Sequence, residues 1–261
     1  MAADQYQPAG RSDFATTHWS MVLAAGDVAA GPHAKDALAQ LCESYWYPVY
    51  AYVRRRVSDV HEAQDLTQAF FEQLLERRVF ESADPARGRF RAFLLTACKR
   101  FLVNEWHKGR AQKRGGGRRL LSLDFDSGES KLGLTAVDAQ TPEEIFEREW
   151  AIALLERVMD RLHAEYVAKQ RLPHFETLKA HLAGSPKDGS LAAAAHALGI
   201  SETTAKVAAH RMRKRYRDLL REEIAQTVEQ PTDIDEEIRH LFTVLGAEKN
   251  CEMCVTHDKL S

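Results

Sequence analysis

Apolar residues recur at spacings of three and four along most of the chain, while alternation at a spacing of two is almost absent. That periodicity predicts an all-α protein. Leu38, Leu41, Tyr45 and Val49, then Tyr52 and Val53, mark one helical face, with Pro48 placed either to kink the helix or to restart it. A capping pattern, Asp59 and then Glu62, opens the next helix, whose buried stripe is Ala63, Leu66, Phe70 and Leu74. The turn-forming run Asp84-Pro85-Ala86-Arg87-Gly88 precedes a third stripe of Phe90, Phe93, Leu94, Ala97 and Phe101. These helices define a first domain over residues 13–108.

Residues 109–140 lose the period. Gly115, Gly116 and Gly117 lie among basic residues, followed by Ser, Asp and Gly, which predicts a flexible linker. A second domain, 141–225, begins sharply at Thr141-Pro142-Glu143-Glu144, a cap, a first-turn proline and a capping box. Ile145, Ile152, Leu155, Met159, Leu162 and Tyr166 are the expected buried stripe of its long first helix. Phe175, Leu178 and Leu182 mark a shorter one, and 184–189 a loop.

Ser190 to Leu198 then reads as a short helix, Gly199 as the turn, and Ser201 as the cap of a helix continuing past Leu220. Two helices joined by a tight glycine turn, the second rich in Lys and Arg, make a helix-turn-helix. Ala194 and Ala195 suit a close crossing that Leu198, Ile200, Ala205 and Ala208 would fill. Thr203, Lys206, Val207 and His210 are left pointing outward. Residues 226–261 form an acidic extension in which Glu237 to Gly246 is amphipathic.

Composition sharpens this picture. With 261 residues, 44% hydrophobic and 28% charged, the chain has material for two small helical cores. It has no run approaching the ~18 apolar residues of a spanning helix and no apolar leader at its start, so no membrane insertion and a cytoplasmic location are expected. Four cysteines make no disulfide framework. Net charge is only −2, but Lys99 to Arg119 and Lys206 to Arg221 are two basic runs opposed by Glu105 and Asp218 alone. Two separated basic stretches predict two contacts to a polyanion.

The stretches AQDLTQAFFEQLL (Ala63 to Leu75) and RGRFRAFLL (Arg87 to Leu95) resemble the second domain of extracytoplasmic-function sigma factors of bacterial RNA polymerase. ALGISETTAKVAAHRMRKRYRDLL (Ala197 to Leu220) is similar to their fourth domain. The resemblance spans roughly residues 13–225 and implies a non-enzymatic promoter-recognition subunit with core RNA polymerase and promoter DNA as partners. An anti-sigma factor is a further candidate partner.

It also implies site residues. Asp65, Gln68, Glu72 and Glu76 would meet the polymerase clamp. Lys99, Arg100, Asn104, Trp106, His107 and Lys108 would lie near the minus-ten element, where a base held out of the stack must be stabilised. At the minus-thirty-five element Thr203, Lys206, Val207 and His210 would face bases, and Ser201, Thr204, Arg211, Arg213 and Lys214 phosphates. Ala205, Ala208 and Ala209 replace residues that are commonly bulkier or basic in the family. The linker would thread near the RNA exit path.

Each feature also has a plainer reading. Taken alone, the Asp65 face is a solvated helix surface, and Trp106 fits core packing as well as base support. Cys251, Cys254 and His257 are three candidate metal ligands or a redox pair, and equally a polar tail with two thiols. Lys113 with the following glycines lacks Walker spacing, no HExxH, GxSxG or dinucleotide motif occurs, and no cofactor is called for. The competing function is a stand-alone helix-turn-helix regulator.

Overall fold

The computed structural model describes residues 31–76, 89–109, 123–134, 140–182, 190–228 and 230–246. Among them there are nine α-helices and no strand. They are α1 (Gly31–Arg56), α2 (Val60–Glu76), α3 (Phe90–Gly109), α4 (Phe125–Leu134), α5 (Pro142–Ala168), α6 (Leu172–Leu178), α7 (Leu191–Leu198), α8 (Glu202–Ala225) and α9 (Ile234–Val244).

Local chemistry sets most of the boundaries. The Glu62 amide donates to Asp59 Oδ1 at 2.7 Å and starts α2. Thr141 and Glu144 form the reciprocal capping box of α5, with Pro142 in its first turn. Helix α1 runs through Pro48 without stopping. The Leu38 and Leu41 side chains and the turn at 84–88 lie outside the described residues.

Helix α5 is the axis of the molecule, covered by α1 on one side and by α8 and α9 on others. The stripe expected for it is rotated. Phe146, Glu149, Trp150, Ala151, Leu154, Val158 and Leu162 are its buried residues, Leu162 as expected, whereas Ile145, Ile152, Leu155, Met159 and Tyr166 are half-buried. The helix is apolar on both stripes, and packing on more than one side selects the one carrying the aromatics. Phe146 meets the Tyr52 ring of α1 at 6.5 Å between centroids. Through such contacts one continuous apolar core joins residues of α1 to α3 with residues of α5 to α9.

The stretch expected as linker contains α4, which packs on α1. Phe125 meets the rings of Trp46 and Tyr50, and Glu129 accepts hydrogen bonds from Tyr50 Oη (2.5 Å) and Arg54 Nε (3.0 Å). At Gly128 a Cβ would stand 3.1 Å from the Trp46 ring, a tight contact that a larger residue could make only if the ring shifted by a few tenths of an ångström. The glycines that weaken this helix locally are compensated by tertiary contacts invisible to local pattern.

Candidate nucleic-acid interface

Helix α3 buries Phe90, Leu94, Cys98, Phe101 and Leu102 and turns a broad opposite face outward. On that face Arg100, Asn104 and His107 are exposed, as are Val103 and Trp106, at 45% and 42%. Trp106 is therefore not a core residue. Lys99 is half-buried and pairs through Nζ with Glu143 in the first turn of α5, 2.9 Å away. The Lys108 side chain lies outside the described residues.

Between α2 and α3 opens a concavity of about 200 Å³, floored by Phe70, Leu74, Phe93 and Phe101 and rimmed by Gln73, Thr96, Arg100 and Asn104. Its aromatic floor with an amide and a guanidinium at the edge is suited to one planar, polar-edged group. Phe93 and Ala97, expected in the core, pack against it half-buried and line this opening.

On α2, Asp65 is exposed and Glu72 half-buried, but Gln68 is 8% exposed. The expectation that these residues share an outward face fails at Gln68, because α2 turns that position into its packed side together with the buried Thr67. The Glu76 side chain lies outside the described residues.

The second basic segment is also organised. Ser190 Oγ accepts from the Ala193 amide, Gly199 closes α7 in the left-handed conformation at φ 66°, and Ser201 Oγ accepts from the Thr204 amide to start α8. Ala194, Ala195, Ala205 and Ala209 are buried, so the alanines that depart from the family pattern include two that α8 buries. Ala208 and Leu198 pack partly against the core. Ser201, Thr203, Thr204, Lys206, Val207, His210, Arg211 and Lys214 are exposed, and Arg213 is half-buried, with its Nε 3.4 Å from the Ala209 carbonyl. Lys206 pairs with Glu202 one turn back, at 3.0 Å on an exposed surface, an interaction worth about 0–1 kcal/mol and easily exchanged.

The sequence did not single out a junction at the start of α3. Arg91 is buried with its guanidinium 4.4 Å from the Trp150 ring, and its Nε bonds Glu147 at 2.6 Å. Arg89 and Arg91 both pair with Glu237 of α9, whose side chain is fully buried, and Arg89 also meets Glu236 at 3.0 Å. His240 Nε2 lies 3.2 Å from Glu147. Burial alone would raise the Glu147 carboxyl, but the His240 hydrogen bond and Arg91 outweigh it and hold it below the usual 4.5. Hydrogen bonding to Lys99 lowers Glu143, and to Arg215 lowers Glu165.

Depressed carboxylates stabilise the fold above their unfolded value and lose that contribution as pH falls through the folded one. Burial raises Glu149, which acts in the opposite sense. The three lowered groups set the expected net direction: stability, followed by urea unfolding, should fall as pH drops below about 4.5. His240→Ala should weaken that fall.

Residues 41–112, which include most of α1, all of α2 and all of α3, match the family described as Sigma-70 region 2. Over that stretch the chain is similar to a sigma-70 region 2. The match supports a sigma-70 family member with a non-enzymatic role in promoter recognition and melting by RNA polymerase, and it implies binding to the polymerase core and to promoter DNA. No curated protein and no solved structure matches the chain. Among the described residues no helix is long and apolar enough to cross a membrane, and no cluster of His, Cys, Asp and Glu is arranged to hold a metal. Cys251, Cys254 and His257 lie outside them.

Proposed function

We propose that the chain is a sigma factor of the extracytoplasmic-function type, using α1 to α3 for the polymerase core and the minus-ten element and α7–α8 as a helix-turn-helix for the minus-thirty-five element. The observation that carries the reading is the region 2 match. It is supported by a capped, basic helix α8 whose outward residues Thr203, Lys206, Val207 and His210 are exposed.

On this reading Asp65 and Glu72 meet the clamp, with Gln68 supporting α2 from its packed side. Arg100 and Lys99 neutralise phosphate, and the Phe-lined concavity receives an unstacked base whose edge Asn104 reads. Trp106 offers an exposed aromatic surface elsewhere on the same helix. On α8, Thr203, Lys206, Val207 and His210 face base edges while Ser201, Thr204, Arg211, Arg213 and Lys214 hold phosphates. The setting is cytoplasmic, and an anti-sigma protein is a candidate regulator.

The deciding experiment is binding of the purified chain to sigma-free core polymerase, followed by transcription from a pool of random promoters. New, sequence-selected transcripts are expected. No core binding with retained affinity for duplex DNA would instead identify a stand-alone regulator. Asp65→Arg should weaken core binding and leave duplex affinity unchanged. Lys206→Ala should leave core binding intact and weaken upstream-element binding by about 1–3 kcal/mol, with relaxed specificity at the base it faces. Loss of both activities in either variant would point to a different docking surface.

A further inference from the structure

The two guanidiniums at the start of α3 are arranged around a single anion. Arg89 Nε lies 2.6 Å from one oxygen of the Glu237 carboxylate, and Arg91 Nη1 pairs with the other. The carboxylates that hold this pair, Glu147, Glu236 and Glu237, belong to α5 and α9, whereas both arginines belong to the segment matching region 2. The cations thus sit on one functional element and their counter-ions on others.

A guanidinium recognises a carboxylate and a phosphate by the same forked, charge-assisted hydrogen bonds. Arg91 is also stacked on Trp150 and Arg89 is partly exposed, so the pair has an accessible member and a fixed one. Lys99 repeats the pattern on the same helix, held by Glu143 of α5.

We propose that Arg89 and Arg91 form a binding site for the phosphodiester backbone of a DNA strand, and that α9 is its internal competitor, with Glu236 and Glu237 standing where phosphates would bind. Identifying the anion as promoter DNA rests on the sigma reading above. In the free chain α9 and α5 occupy the arginines, and a strand entering along α3 must exchange phosphates for these carboxylates. Acidic residues on α9 thereby raise the threshold for DNA engagement without covering the exposed face of α8.

The test uses the full chain and a fluorescein-labelled, random-sequence single-stranded DNA, with anisotropy read between about 50 and 200 mM salt. Glu236→Gln/Glu237→Gln is expected to bind on the order of tenfold more tightly at the lowest salt, with a log–log slope steeper by about 1.4, two phosphates' worth for a single strand. Adding Arg89→Gln and Arg91→Gln should abolish both changes. An unchanged affinity in the doubly neutralised chain, or a gain that survives loss of both arginines, overturns the proposal.

Should the double variant fail to fold by circular dichroism, Glu236→Gln alone decides. Its side chain is 65% exposed, and it is expected to steepen the slope by about 0.7, an unchanged slope being the negative result. Transcription with core polymerase reports separately on the sigma reading. The charge exchange holding without such transcription leaves the anion site standing and removes promoter DNA as its ligand.

Discussion

Trp150→Ala is expected to lower the unfolding free energy by about 3–5 kcal/mol, the range for deleting a buried large aromatic. The indole is 1% exposed, at the centre of α5, and it also carries the Arg91 guanidinium on its ring face. Removing it opens a cavity and leaves a buried cation without its stacking surface. Since one core runs from α1 to α9, the loss should be felt in both halves of the chain. Urea unfolding followed at a label on α2 and at another on α8 should give coincident midpoints in wild type and variant, both displaced downward together in the variant. Two separated midpoints, with only the α8 probe displaced, would show two independently stable halves.

That expectation differs from what the linear pattern suggested, two domains held by a flexible connection. The features legible in the sequence are those decided within a few residues. Asp59, Thr141 with Glu144, Ser190 and Ser201 cap helices because a side-chain oxygen reaches an amide two or three positions on, and Gly199 adopts a conformation other residues resist. The outward set on α8 was legible for the same reason, since helical period separates Ala205 from Thr203, Lys206 and His210, although Ala209 is buried where Ala208 was expected and Ala208 is only partly so.

The features that were not legible depend on residues far apart. Which stripe of α5 is buried is decided by α1, α8 and α9, and its two apolar stripes give no local preference between Trp150 and Ile152. Helix α4 holds its place through Trp46, Tyr50 and Arg54, about 75 to 79 positions earlier in the chain. Gln68 has the chemistry of a surface residue and is buried nonetheless. The pairing of Arg89 and Arg91 with α9 spans more than 140 residues, and only the unusual RGRFR run, two cations flanking a core phenylalanine, hinted that these arginines needed partners.

Removing α9 by ending the chain at Val228 is expected to destabilise the fold more than any single substitution above. Ile238 and Leu241 are fully buried and Phe242 nearly so, and each such side chain contributes about 1.5–3 kcal/mol when buried. The truncation also strips Arg91 of Glu237, leaving Glu147 as its carboxylate partner. Against a typical total of about 5–15 kcal/mol, the shortened chain should melt far below wild type in calorimetry, or not fold at all. A rise in its DNA affinity would therefore mix unmasked arginines with general loosening. Phe242→Ala separates the two: it removes packing, at about 3–5 kcal/mol, while keeping Glu236 and Glu237 in place. If the carboxylates rather than the packing restrain DNA binding, Phe242→Ala should lower the melting temperature with little change in the salt slope, whereas the paired Glu→Gln variant should change the slope even at temperatures where both proteins remain folded.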